Sequence, residues 1–200
     1  MNEKFKNIIL TLIQEKDSLK KSLGVLAVLT EALKPVGVKP ILVGGRALEF
    51  YTLGGYATKD MDLVINGREQ AKTVLATMGF LRRPGERHWY HEELDLALEI
   101  PDGTLAGSPD KLSIVEINGM EAFIIGIEDL IIDRLAAAKF WNSPADAQWA
   151  AKLLALHARE IDMNYLQNAA YKEQVEDILK KVIKHSKIYL DVDRFNPGES

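Results

Sequence analysis

The glycine pair Gly44-Gly45, followed at the distance of a short helix by Asp60-Met61-Asp62, constrains this chain more than any other feature. Apolar Ile41-Leu42-Val43 runs into the glycines, and Leu63-Val64-Ile65 runs out of the acidic pair. The pattern predicts strand, glycine turn, short helix and strand. Side chains alternate faces along an extended segment, so Asp60 and Asp62 share one face while Met61 points into the core. Neighbouring carboxylates repel unless a cation sits between them. Oxygen-only ligands of this kind suit Mg²⁺, which is usually held by one or two carboxylates together with substrate phosphates. Glycine removes side-chain bulk where backbone must approach a phosphate, and the N-terminus of the next helix offers N–H donors. Together these features read as a metal–nucleotide site.

Val43-Gly44-Gly45 and Asp60-Met61-Asp62, in that order and at that spacing, resemble the signature of the nucleotidyltransferase superfamily with the DNA polymerase β-like fold. The resemblance is to small prokaryotic members, the AbiEii-like toxins and related nucleotidyltransferase-like proteins, and spans roughly residues 38–150. It implies an α+β fold, a mixed sheet flanked by helices, with a C-terminal helical bundle. It also implies a third acidic residue on a later strand.

That residue falls in Glu92-Glu93-Leu94-Asp95-Leu96-Ala97-Leu98-Glu99-Ile100. Read as a strand over 94–100, the segment puts Asp95, Ala97 and Glu99 on one face and the leucines on the other. Either Asp95 or Glu99 is a candidate. Glu99 is preferred because it stands at the strand end before Pro101, where open sheets place their sites. Family members usually carry aspartate here, so a glutamate departs from the common pattern.

The resemblance assigns Asp60, Asp62 and Glu99 (or Asp95) to catalysis, with Asp60, Asp62 and Glu99 as Mg²⁺ ligands. Gly44 and Gly45 would seat the phosphates, and Arg46 and Lys59 would meet them. In Ile127-Glu128-Asp129-Leu130-Ile131-Ile132-Asp133-Arg134, Arg134 is the candidate basic residue facing the nucleotide, with Lys139 as the alternative and Asp146 as the acid one helix later. The implied reaction is transfer of a nucleoside monophosphate from an NTP to a hydroxyl on RNA, protein or a small molecule. A toxin acting on tRNA or protein and held by an antitoxin-like partner belongs to the same resemblance. A catalytically silent member that binds nucleotide or a partner is the alternative.

The rest of the sequence sets the frame. Helical spacing of apolar residues predicts helices within 3–33, then a strand over 40–43. Residues 68–78 read as a helix ending at Gly79, and 80–83 and 87–91 as strands paired around Pro84-Gly85. Asn118-Gly119 between Leu112–Ile117 and Met120–Ile125 is a strong hairpin signal. Helices are predicted at 127–140, 144–158, 162–170 and 172–187. The expected organisation is a core over 1–126, a helical region over 127–190 and a loose tail over 191–200. Trp141 and Trp149 are expected to pack between helices.

A net charge of −4 gives no general basic footprint for nucleic acid, and the absence of cysteine rules out disulfides and thiolate metal sites. The start of the chain is amphipathic, and no apolar stretch reaches membrane-spanning length. The expectation is a cytoplasmic protein. His88, His91, His157 and His185 form no metal set, and the sequence holds no Walker loop or G-x-G-x-x-G motif.

Overall fold

A computed structural model describes residues 3–195 except Pro84 and Asp102. The chain divides into two compact units, Met1–Ile125 and Gly126–Ser200. The first opens with helices α1 (Glu3–Ile13) and α2 (Ser18–Leu33). Asp17 caps α2 by accepting the Lys20 N–H, and Val25 to Leu29 are fully buried. A helix apolar on nearly every side belongs inside a core, and α2 packs against the sheet and a later helix over Arg68–Thr77.

The sheet follows from short strands joined by chemically distinct turns. β1 (Ile41–Val43) leads into α3 (Gly44–Tyr51), β2 (Asp60–Val64) into α4 (Arg68–Thr77), and β3 (His88–His91) turns back as β4 (Leu96–Glu99). β5 (Ser113–Ile117) and β6 (Met120–Ile124) form a hairpin on Asn118 and Gly119, both with positive φ, as a two-residue primed turn requires. The six strands lie in the order β3-β4-β2-β1-β6-β5. β1 is antiparallel to β2 and parallel to β6, and β2 is parallel to β4. This is a mixed α+β sheet with β3 and β5 at its edges. Tyr51 of α3 anchors to the far side of the sheet: its hydroxyl lies 2.8 Å from Ser113 Oγ and donates to the Ile125 carbonyl at the same distance.

The second unit contains α5 (Ile127–Phe140), α6 (Pro144–Leu156), α7 (Met163–Lys172) and α8 (Glu176–Phe195). Buried Glu128 and Asp129 tie α5 to α7, accepting the Asp162 N–H at 2.8 Å and the Tyr165 hydroxyl at 2.6 Å. Among the described residues no helix is long and apolar enough to cross a membrane.

Several expectations are corrected. Residues 81 and 90 meet only in an isolated bridge, and the partner of β3 is β4, because Glu92–Asp95 turn instead of extending. The last helix, α8, runs to Phe195 and not to the expected 187, and 196–200 lie outside the described residues. Trp141 is 84% exposed and packs between no helices.

His91 is a buried titratable group in the first unit. It is buried edge-on to Phe80 with ring centres 5.2 Å apart, and its Nδ1 accepts the Leu94 N–H at 3.2 Å. Burial holds its pKa below the ordinary 6.5, against the opposing pull of Glu93 and a backbone hydrogen bond to Met78. The folded state therefore binds fewer protons than the unfolded chain, and stability present above about pH 6.5 is lost as pH falls. The melting temperature should drop between about pH 7.5 and pH 5.5, and His91→Asn should flatten that dependence. Parallel pH profiles for both proteins would exclude His91 as the group responsible.

Candidate active site

The site is built at the end of β1. Gly44 has φ +65°, a left-handed conformation that costs residues with a Cβ 1–2 kcal/mol or so. A Cβ there would stand 2.5 Å from Asp62 Oδ2. The Asp62 carboxylate thus occupies the space the glycine leaves. α3 starts at this point, where helix N–H groups lack intrahelical partners and favour negative charge. Gly45 is crowded from the other side: its Cβ would lie 3.2 Å from Tyr56 and 3.3 Å from Thr58. The loop before β2 therefore closes onto the start of α3.

Sheet register then assembles the carboxylates. Val43 pairs with Asp62, Asp62 with Glu99, and Glu99 with His88, forming one row across four strands. Directly paired residues share a face, so Asp62 and Glu99 are neighbours, with Asp60 two residues back opposite Ala97. Asp60 is exposed, Met61 fully buried and Asp62 half-buried, the alternation expected of β2.

Glu99 is ordered by Arg87 and His88. Its Oε1 is 2.7 Å from Arg87 Nη2 and its Oε2 is 3.2 Å from His88 Nε2. Among the described residues no three His, Cys, Asp or Glu side chains group as metal ligands. The oxygen-only pair Asp60 and Asp62 fits Mg²⁺, while the carboxylate of Glu99 is already taken up by Arg87 and His88. Glu99, expected as a third metal ligand, stands beside Asp62 in the sheet with Arg87 and His88 on its oxygens.

Asp95 is not on this face. β4 begins only at Leu96, Asp95 sits in the turn with φ +49°, and it accepts the Tyr90 hydroxyl at 2.8 Å. That hydrogen bond pushes the Tyr90 phenol above its ordinary 10.0.

Arg46 is also corrected. It is 1% exposed, so it does not stand ready for a phosphate. Its Nη1 donates to Glu49 at 2.7 Å and to Ser18 Oγ at 3.0 Å, and its Nη2 donates to the Lys59 carbonyl at 3.2 Å. Arg46 braces the residue before Asp60 against α2 and α3. Lys59 itself is exposed beside the acidic pair.

In the second unit, Arg134 is bound to Asp133 and, at 2.8 Å, to Asp146. Burial works to lower its pKa, but the two carboxylates outweigh it and hold the guanidinium charged. A phosphate would have to compete with both. Lys139 is likewise engaged, 2.7 Å from Asp177. Sequence reasoning missed Arg87 and His88 as partners of Glu99 and Glu49 as the partner of Arg46. A signal for the first existed in the basic run from Arg82 to His88 just before β3.

No protein-family model matches the chain, and no curated protein matches its sequence. Solved structures do. The crystal structure of an antigenic nucleotidyltransferase-like protein from Paracoccidioides brasiliensis is similar at TM-score 0.52 and 19% identity, over 84% of this chain and 93% of that one. The solution structure of the antibiotic-resistance factor ANT(2″)-Ia aligns at TM-score 0.41 and 12% identity, over 84% and 92%. The first likeness shows the fold: this chain has a nucleotidyltransferase-like α+β architecture.

Two substitutions probe the frame of the site. Gly44→Ala should cost about 1–3 kcal/mol through its left-handed φ, with more where the methyl meets Asp62. Arg46→Met should cost about 3–5 kcal/mol by leaving Glu49 buried and unpaired. Urea midpoints measure both; a Gly44→Ala protein as stable as wild type would show that the turn tolerates an ordinary residue.

Proposed function

We propose that this chain is a nucleotidyltransferase moving a nucleoside monophosphate from an NTP to an acceptor hydroxyl. The observation that carries the reading is the row Val43–Asp62–Glu99, with Asp60 on the same face and the Gly44 turn packed against Asp62. In such a transfer the acceptor oxygen bonds to the α-phosphorus, the bond to the α–β bridging oxygen breaks, and pyrophosphate leaves while the hydroxyl proton is lost to a base. Asp60 and Asp62 would hold Mg²⁺, which when bound neutralises phosphate charge and orients the triphosphate. Gly44 and Gly45 would bring backbone N–H groups to the phosphates, and Lys59 would add an exposed ammonium beside them. Glu99 would stand on the acceptor side, its orientation fixed by Arg87 and His88.

A second reading, nucleotide or partner binding without turnover, is favoured by one observation. Both oxygens of Glu99 are already engaged, unlike those of a carboxylate that must serve a metal or a proton. A toxin role rests on the sequence resemblance; it predicts growth arrest on expression that Asp62→Asn abolishes and an antitoxin-like partner relieves.

The deciding assay is Mg²⁺-dependent pyrophosphate release from each NTP in the presence of cellular RNA or protein. Asp62→Asn should reduce release by at least about a hundredfold, since metal-assisted charge stabilisation is worth several kcal/mol. NTP binding without release from wild type would select the non-catalytic reading.

A further inference from the structure

Beyond Glu99 the first unit contains a cavity of about 390 Å³ at the rim formed by α4, β3 and the end of β4. Its walls carry Arg68, Lys72, Arg82, Arg87, Trp89 and Glu99. Four cations face one carboxylate here, in a chain whose overall charge is −4. Such a concentration of one sign within a concave wall focuses the local potential.

Two of the four cations are held by neutral acceptors, while Lys72 pairs with Glu69 on α4 and Arg87 with Glu99. Arg68 Nη2 donates to the Ile100 carbonyl and, at 3.2 Å, to that of Pro101. Arg82 Nε donates to the Glu86 carbonyl at 2.7 Å. Carbonyl acceptors orient a guanidinium without neutralising it, and an oriented guanidinium matches two phosphate oxygens at once. Trp89 is half-buried in the same wall, an indole suited to stacking on a planar ring. The volume falls within the range of small-ligand sites.

We infer that this cavity binds a phosphate group carried by the acceptor, beside the hydroxyl that receives the nucleotide. Naming the ligand as the acceptor rests on the transferase reading above; phosphate binding itself does not. The link between the two is Glu99, which lines the cavity and pairs in register with Asp62. Phosphate monoesters of free nucleotides and the phosphodiester of a nucleic-acid end share the chemistry the cavity recognises.

The test is a titration of the full chain, in chelator and without NTP, with adenosine monophosphate and separately with a short oligoribonucleotide. The proteins are wild type, Asp62→Asn and the double variant Lys72→Ser/Arg82→Ser, whose side chains lie outside the core. Wild type and Asp62→Asn should bind alike, the double variant at least about tenfold more weakly, and affinity should fall with salt as paired phosphates demand. Tighter binding of the mononucleotide assigns a free phosphorylated metabolite, and tighter binding of the oligonucleotide a nucleic-acid end. Absence of saturable binding to wild type, or equal binding by the double variant, overturns the proposal. Binding that persists in a wild-type protein unable to release pyrophosphate upholds the cavity and removes the transferase reading, so the two fail separately.

Discussion

β2 is paired on both sides, antiparallel to β1 and parallel to β4, and its register decides what the sheet can do. Because side chains alternate with a period of two, a slip of one residue would turn Asp60 and Asp62 inward and Met61 outward. The register is held from the opposite face. Leu42, Met61, Leu63 and Leu98 are all fully buried there, and burial of each such side chain is worth about 1.5–3 kcal/mol. Reversing the alternation of β2 would expose Met61 and Leu63, uncover the packing of Leu42 and Leu98, and bury two carboxylates, a penalty far larger than any local preference. The apolar side of the sheet thus determines the chemistry of its polar side. Gly44 completes the arrangement: only a residue without a Cβ both accepts the left-handed turn and leaves room for the carboxylate that the register delivers.

Arg46 provides a second, costlier constraint. A buried ion pair is weak evidence of net stability, because desolvation offsets most of the attraction. Here one guanidinium spans three segments, reaching Ser18 at the start of α2, Glu49 in α3 and the Lys59 carbonyl before β2. Among the described residues its Nε is buried without an acceptor, a defect of about 1–3 kcal/mol. What the pair contributes in return is geometric. It fixes the backbone next to Asp60, the most exposed of the three acids in the site, and so limits where that carboxylate can go.

The legible parts of the sequence were those governed by local period and turn chemistry. The strand–glycine–helix–strand unit, the Asn118-Gly119 hairpin and the helices from Ile127 onward each depend on neighbours within one element. Alternation placed Glu99 on a polar face but offered Asp95 equally; the strand end before Pro101 separated them. Asp95 was misplaced because alternation does not mark where a strand begins; the turn over Glu92–Asp95 and the Tyr90 hydrogen bond take it out of the pattern. Arg46 was misread for a different reason. Its burial depends on partners 28 and 13 residues away, which no periodicity reports. Trp141 was misjudged by residue type, since the end of α5 leaves it in solvent.

Glu99 stands at the border between an acidic face and a basic cavity, and its ion pair with Arg87 joins the two. Arg87 is 77% exposed at its side chain and Glu99 14%, so solvent reaches the pair from the Arg87 side and screens it there. Charge-assisted hydrogen bonds from a guanidinium to phosphate are at least as favourable as those to a carboxylate. A phosphate entering the cavity therefore competes for Arg87 on nearly equal terms, with Arg68 and Arg82 already oriented to share the anion. Drawing Arg87 toward that phosphate would leave Glu99 to His88 alone, with its carboxylate more available on the face it shares with Asp62. Under the proposed transfer, the pairing of Glu99 with Arg87 is therefore compatible with catalysis, because an anionic acceptor would compete for the guanidinium.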